Sequence, residues 1–136
     1  MRDIAYLALG SNMGDRAGQL ATARVALAQL PRSKVLAVSS AEETAPLGGA
    51  TTEPFLNQMI ALETELSPRA LLEAIHEIEH RAGRVRTVRW GARTLDIDIV
   101  RFAHQEVHEP DLEVPHPQLP HREFWQRELA ELEQSA

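Results

Sequence analysis

Apolar and polar residues alternate along parts of the chain with the period of a strand that has one buried face. The alternation is clear in residues 55–66 and 94–102 and partial in residues 3–10, and a further β-rich stretch occupies residues 34–44. Glycine and proline residues lie between the middle two, as in a loop that joins neighbouring strands. The pattern therefore predicts four strands.

Two other segments repeat apolar residues at the spacing of a helix. The first follows Asp15, an acceptable N-cap, and stops at Pro31. The second follows Ser67-Pro68, an N-cap with proline at the first helical position, and ends at Gly83. Together the elements predict the order βαββαβ.

This order is that of an α+β, ferredoxin-like fold, in which two helices pack on one face of a single antiparallel sheet. After the last strand comes an irregular, proline-rich passage, and then a short acidic helix from about residue 122 to 133. We expect residues 1–136 to form one domain, since 136 residues is an ordinary domain size.

Composition excludes several classes of protein. The apolar fraction of 43% and charged fraction of 25% are those of globular chains, and no apolar run is long enough to span a bilayer. The chain has no cysteine, so disulfides, thiolate metal sites and thiol nucleophiles are excluded. An acidic residue, Asp3, interrupts what would be the start of a signal peptide, which predicts a cytoplasmic protein without a membrane partner.

Charge is unevenly distributed along the sequence. The net charge is −6, yet no acidic residue occurs from residue 80 to 95, where five arginines lie: Arg81, Arg84, Arg86, Arg89 and Arg93. Arginine donors match phosphate oxygens, and the overall acidity favours a small phosphorylated ligand over a nucleic acid. The alternative is a solvated basic loop.

Asp96 and Asp98 stand two residues apart on a predicted strand, so both carboxylates are aimed at one patch. Two close carboxylates beside a phosphate site suit Mg²⁺, and the pairing indicates a nucleotide triphosphate site. The alternative is a solvated sheet face. The sequence has no Walker-type P-loop, and Gly10 and Gly14 either shape the first turn or contact a ligand.

Six strings resemble the 6-hydroxymethyl-7,8-dihydropterin pyrophosphokinase family. They are ALGSNMGD at 8–15, TAPLG at 44–48, PFLN at 54–57, GRVR at 83–86, RWGARTLDIDI at 89–99 and VPHP at 114–117. The resemblance runs in order from about residue 4 to 132. It implies transfer of the β,γ-diphosphoryl unit of ATP to the hydroxymethyl group of the pterin, giving AMP and the pterin diphosphate in folate biosynthesis.

The resemblance also implies roles for individual residues. Asp96 and Asp98 resemble the ligands of two magnesium ions, and Arg84 and Arg93 resemble catalytic arginines that hold the triphosphate. The ATP-binding positions are Glu79, Arg86, His116 and Arg122. The pterin-binding positions are Thr44, Ala45, Pro46, Leu47, Phe55, Asn57 and Phe124, with the two phenylalanines on either side of the ring.

Some positions depart from the family pattern. His76 stands where glutamine is common, Ala92 where proline is usual and Phe55 where tyrosine is frequent, and the sequence stops at Ala136. A non-catalytic pterin- or nucleotide-binding paralogue is therefore an alternative. A ferredoxin-like RNA-binding module is a second one, which the net charge and the lack of interleaved aromatics oppose. The main hypothesis predicts a monomer that binds no nucleic acid.

Overall fold

The structure is a computed structural model that describes residues 2–12, 14–44, 54–82 and 95–135. Its strands are β1 (Asp3–Ser11), β2 (Ser33–Val38), β3 (Glu42–Thr44), β4 (Phe55–Thr64), β5 (Asp96–Phe102), β6 (Val107–Glu109) and β7 (Leu112–Val114). Its helices are α1 (Arg16–Ala28), α2 (Pro68–Arg81) and α3 (Glu123–Ser135), with a 3-10 turn at Leu119–His121 before α3.

The main sheet has the strand order β2-β4-β1-β5, and β3 pairs with β4 beyond the end of β2. All of these pairings are antiparallel. β1 and β2, which α1 connects, are separated in the sheet by β4. β4 and β5, which α2 connects, are separated by β1. This is the ferredoxin-like arrangement of an α+β fold, so the predicted fold is confirmed.

Both predicted helix starts have the expected caps. The Asp15 carboxylate accepts a hydrogen bond from the backbone N–H of Gly18, at 3.0 Å. The Ser67 hydroxyl accepts one from Ala70 N–H at 3.1 Å, ahead of the helix that begins with Pro68. These bonds satisfy donors that a helix start otherwise leaves free. No helix in the ranges described above is long and apolar enough to cross a membrane.

The prediction of one strand over residues 34–44 is wrong in detail. The stretch is divided into β2 and β3, both beside β4, with Ser39 between them. The Ser39 hydroxyl accepts a hydrogen bond from Met59 N–H, and its carbonyl accepts one from the Gln58 side chain, both at 2.8 Å. These side-chain hydrogen bonds interrupt the backbone hydrogen-bond ladder along β4, as serine side chains can do.

One face of the sheet is covered by α1 and α2. The buried cluster between them includes Leu7, Leu9, Leu20, Leu27, Ile60, Leu62, Leu71, Ile75, Ile97 and Ile99. Its helix residues lie at helical spacing and its strand residues at every second position, as the apolar pattern predicts. This face carries the larger part of the core.

The opposite face is covered by α3, the predicted C-terminal helix. Its smaller cluster contains Ala8, Met59, Ala61, Val100, Trp125, Leu129 and Leu132. Beyond α3, residues at the ends of β1, β4 and β5 line a cavity instead. The candidate site lies there.

A short hairpin occupies part of the passage that was predicted to be irregular. β6 and β7 pair through a turn at Pro110-Asp111. Arg69 of α2 forms ion pairs with Glu109 and with Asp111, the latter at 2.7 Å. The hairpin is therefore held beside α2, next to β5.

Candidate active site

Three residues form one row across the site end of the sheet: Asp96 on β5, Gly10 on β1 and Asn57 on β4. Gly10 pairs directly with both of the others. A Cβ atom at Gly10 would lie 3.1 Å from Asn57 Oδ1 and 3.5 Å from the Phe55 ring. Gly10 lies within a strand and not in the first turn, and its missing side chain leaves room for Asn57 and Phe55.

Asp96 and Asp98 lie on the face of the sheet that α3 covers. The alternate residues Ile97 and Ile99 lie on the other face and are buried against α2. A buried acid fixes this strand. The Glu79 carboxylate, 5% exposed, accepts a hydrogen bond from Ile97 N–H at 2.8 Å. Glu79 thereby holds the backbone between the two aspartates from the opposite face of the sheet.

A cavity of about 240 Å³ opens on the α3 side of the two aspartates. The sheet side of its wall includes Thr44, Phe55 and Asn57, and the helix side has Phe124 and Trp125. The Asn57 Nδ2 donates to Thr44 Oγ1 at 2.6 Å, which fixes the amide within the wall. Aromatic faces with one oriented amide suit a flat, polar heterocycle.

A second cavity, of about 560 Å³, lies between β5, α2 and the β6–β7 hairpin. Its lining is more polar, and its members on α2 and the hairpin side are Leu72, His76, Glu79, Glu109, Pro110, Asp111, Leu112, Glu113, His116 and Pro117. The lining combines apolar side chains such as Leu72 and Leu112 with groups that can form hydrogen bonds. A nucleoside presents the same mixture of surfaces.

Asp96 and Asp98 are the residues common to the two cavities. Two ligands, one in each cavity, would therefore approach each other at these carboxylates. This arrangement permits a group to pass from one ligand to the other without leaving the site.

His116 stands beside the shared carboxylates. Burial lowers the pKa of His116 and outweighs the nearby Asp98 carboxylate, so the ring is neutral near pH 7. Its Nδ1 atom accepts a hydrogen bond from Gln118 N–H at 3.0 Å, which leaves the proton on Nε2. Nε2 lies 3.9 Å from Asp98 Oδ1. His116 thus presents an N–H donor at the junction of the cavities.

Trp125 orders the groups around this junction. The His116 ring meets the Trp125 ring edge to face, with centroids 4.9 Å apart. The Arg122 guanidinium lies 4.4 Å from the centre of the Trp125 ring and lines the first cavity. Trp125 is buried, so it fixes two polar side chains by packing alone.

The pair of aspartates fits magnesium better than metals that require a complete protein cage. Among the residues described, no three histidine, aspartate or glutamate side chains come together to hold a metal. Magnesium is commonly held by one or two carboxylates, with waters and substrate phosphates as its other ligands. Asp96 and Asp98 supply that donor set.

Comparisons with known proteins agree with this chemistry. A family model for 7,8-dihydro-6-hydroxymethylpterin-pyrophosphokinase matches residues 6–134. The 2-amino-4-hydroxy-6-hydroxymethyldihydropteridine pyrophosphokinase of Bacillus subtilis is 44% identical, over 97% of this chain and 79% of its own length. The chain belongs to this pyrophosphokinase family. Proteins of the same name from Pseudomonas aeruginosa and Methylorubrum extorquens are each 43% identical, covering 93% and 94% of this chain and 78% and 81% of the relatives.

The pyrophosphokinase resemblance predicted site residues on both cavities. The structure brings Thr44, Phe55, Asn57, Arg122 and Phe124 to the first cavity, Glu79 and His116 to the second, and Asp96 and Asp98 to both. Arg122, predicted to bind ATP, thus lies with the predicted pterin residues, beside the shared aspartates. The predicted residues Ala45, Pro46, Leu47, Arg84, Arg86 and Arg93 lie outside the described ranges.

Sequence reasoning missed Trp125 and the hairpin wall of the second cavity. Trp125, Leu129 and Leu132 recur at helical spacing, and this stripe could have shown that α3 packs its tryptophan against the sheet. The Pro110-Asp111 pair is a turn signal that could have predicted the hairpin. Neither signal alone indicates a ligand site.

Proposed function

We propose that this chain transfers the β,γ-diphosphoryl group of ATP to the hydroxymethyl oxygen of 6-hydroxymethyl-7,8-dihydropterin. The observation that carries this proposal is the position of Asp96 and Asp98, which line both the aromatic cavity and the polar one. The family membership agrees with it. The chain thereby acts in folate biosynthesis as an ATP-dependent diphosphotransferase.

At the β-phosphorus, the reaction forms one bond and breaks one. The hydroxymethyl oxygen bonds to the β-phosphorus of ATP and releases its proton to water, while the bond from that phosphorus to the α,β-bridging oxygen breaks. The bridging oxygen leaves with AMP. Such a transfer is accelerated mainly by holding the two oxygens in line and by stabilising phosphate charge.

The first cavity binds the pterin. Phe55 and Phe124 lie against the two faces of the ring, and Asn57 meets its polar edge. With Nδ2 committed to Thr44, the Asn57 Oδ1 atom is placed to accept from a ring N–H group. The family resemblance assigns the backbone of Ala45, Pro46 and Leu47, which lie outside the described residues, to the same ligand.

The second cavity binds ATP. His116 Nε2–H and the Arg122 guanidinium point toward the junction, where they donate to phosphate oxygens. Glu79 acts on the nucleotide side by fixing the β5 backbone at Ile97. The family resemblance assigns Arg84, Arg86 and Arg93, which lie outside the described residues, to the triphosphate.

Asp96 and Asp98 would hold two magnesium ions together with ATP. Bound magnesium would neutralise phosphate charge and polarise the phosphorus that is attacked. The two carboxylates place this metal site at the boundary between the cavities. Without a cation, two like charges so close on one strand would repel the triphosphate.

The functional unit is a monomer of one domain, residues 1–136, that acts in the cytoplasm without nucleic acid or membrane. The net charge of −6 disfavours a nucleic-acid partner.

The proposal is tested by supplying ATP, Mg²⁺ and the dihydropterin and following AMP by a coupled assay, with the pterin product identified by mass spectrometry. We expect equal amounts of AMP and pterin diphosphate, and no AMP without the pterin. Tight binding of both ligands with no AMP would support the non-catalytic paralogue instead. RNA binding without pterin binding would support the RNA-binding module.

A further inference from the structure

Glu128 is a buried acid that the proposed reaction does not use. It lies on the apolar stripe of α3, one helical turn after Phe124 and Trp125, and only 2% of its surface is exposed. Both of its carboxyl oxygens are buried, and neither makes a hydrogen bond of normal geometry within the described ranges. Burying a charged carboxylate without hydrogen-bond partners would cost free energy, so the neutral form of Glu128 is favoured here.

The group that interacts most strongly with the Glu128 carboxyl is the carboxyl of Glu42 on β3. Burial, together with this facing carboxyl, raises the pKa of Glu128 to about 9. Arg127 opposes the rise and Glu131 adds to it. Arg127 also forms an ion pair with Glu42 at 2.8 Å. Near pH 7 the Glu128 carboxyl is therefore neutral.

Glu42 lies directly behind the wall of the pterin cavity, next to two of its lining residues. It pairs directly with Asn57 across β3 and β4, and Thr44, which holds the Asn57 amide, lies two residues further along β3. The row Asp96, Gly10, Asn57 thus continues to Glu42. On the other side of the cavity, Phe124 and Trp125 are carried by the same helix as Glu128.

The contacts between α3 and this edge of the sheet set the distance between the two walls. Besides the Arg127–Glu42 pair, the Glu131 carboxylate accepts from Ser40 N–H at 2.9 Å and from the Ser40 hydroxyl at 3.0 Å. Glu128 is the buried member of this group. An ionised Glu128 would repel Glu42 at the point where the helix meets β3.

We infer that Glu128 is a positioning residue for pterin binding, whose neutral carboxyl holds α3 against Glu42 and so sets the spacing between Phe124 and the Thr44–Asn57 wall. This inference rests on the proposed function for its ligand. Glu128 acts on the pterin half of the site, because the described residues that line the ATP cavity include none from α3.

The test compares wild type with Glu128→Gln and Glu128→Leu between about pH 7 and pH 10, with titrations of the dihydropterin and of Mg-ATP as separate measurements. Glutamine is neutral and nearly the same shape as a protonated glutamate, so the pterin affinity of Glu128→Gln should match that of wild type at pH 7. The ratio of wild-type to Glu128→Gln Kd for the pterin should rise about fivefold or more by pH 10. The same ratio for ATP should stay within about twofold. Taking ratios at each pH cancels the ionisation of the pterin itself.

Leucine keeps the burial but replaces the polar carboxyl that faces Glu42 with a branched apolar side chain, so Glu128→Leu should bind the pterin more weakly at every pH without the alkaline loss. Glu133→Gln, an exposed acid on the same helix that pairs with Arg101, is the matched control and should behave as wild type. Equal pterin affinity of wild type, Glu128→Gln and Glu128→Leu throughout, or an equal loss for ATP and pterin, would overturn the inference.

Thermal unfolding without ligand separates this result from failure of the proposed function. Relative to wild type, Glu128→Gln should gain stability as the pH rises from about 5 to 9, because ionisation is penalised only in the folded state. Absence of pterin binding at pH 7 in all variants rejects the proposed function. If the stability of Glu128→Gln relative to wild type does not rise with pH, the inference that Glu128 is a buried neutral acid is rejected, whatever the ligand titrations show.

Discussion

The two faces of the central sheet differ in how completely helices cover them. On one face α1 and α2 form a continuous apolar core with the sheet. On the other, α3 covers a smaller cluster and leaves the ends of β1, β4 and β5 to line the first cavity. The covered face provides stability, and the partly covered face provides the space and polar groups that a ligand requires.

β5 shows this division within a single strand. Ile97 and Ile99 are buried in the core, while the alternate positions Asp96 and Asp98 line both cavities. Glu79 connects the two sides, since it lies on the core helix and accepts a hydrogen bond from the strand backbone. Substitutions on the two faces should therefore separate activity from stability.

The largest expected effect is on turnover. Asp96→Asn and Asp98→Asn should each lower kcat by about a thousandfold or more, because a neutral amide is a poor magnesium ligand. The free energy of unfolding should change little, since both side chains are partly exposed. AMP formation at several magnesium concentrations, with urea unfolding alongside, measures both quantities.

The control is Glu65→Gln, which neutralises an acid paired with Arg2 at the other end of the sheet. It should leave AMP formation unchanged. Near-normal turnover of either aspartate variant at limiting magnesium would reject the metal assignment.

The core face should respond in the opposite way. Ile75 of α2 is fully buried, so Ile75→Ala should lower the free energy of unfolding by about 2–5 kcal/mol while the folded fraction keeps its turnover. Leu132→Ala, the same kind of truncation under α3, should fall at the lower end of that range because this face is less enclosed. Urea unfolding and specific activity at low temperature check both variants. An equal or larger loss at Leu132 would contradict the difference between the faces.

Local patterns predicted much of this arrangement. The period of two residues in β5 placed Asp96 and Asp98 on one face, and the Ser67-Pro68 signal marked the start of α2. Each depends on neighbours in sequence, so each can be read without knowing the partner elements. The family resemblance then assigned roles to individual side chains that no pattern could provide.

Features that depend on contacts distant in sequence were not predictable. The division of residues 34–44 requires Ser39 to meet Met59, twenty positions away. The pairing of Glu128 with Glu42 requires α3 to lie on a particular part of the sheet. An acid within the apolar stripe of α3 is visible in the sequence, but the group that faces it is not.

The pterin wall should show a smaller effect than the metal pair. Asn57→Ala should weaken dihydropterin binding by about 1–3 kcal/mol, because it leaves the polar edge of the ring without its partner, while ATP affinity changes little. Calorimetric titration with each ligand measures the two affinities. Phe124→Ala should also weaken pterin binding alone. A variant of Asn57 that binds the pterin as wild type does, or that loses ATP instead, would refute the assignment of the first cavity.

The smallest effect concerns Asp3, a buried acid that contrasts with Glu128. Burial disfavours its charge, but hydrogen bonds from Gln105, Ile4 and His104 outweigh burial and lower the pKa of Asp3. A lowered folded-state pKa contributes stability above the unfolded value of about 3.8, and this contribution is lost as the pH falls through the folded value. Asp3→Asn should therefore cost about 1 kcal/mol at pH 7 and progressively less below about pH 4. Urea unfolding of both proteins across that interval measures the difference. Glu128→Gln should differ from wild type in the opposite direction, with a gain in the free energy of unfolding that increases toward alkaline pH. For Asp3→Asn, a cost that stays constant or grows toward acid pH would show that Asp3 acts by shape and not by charge.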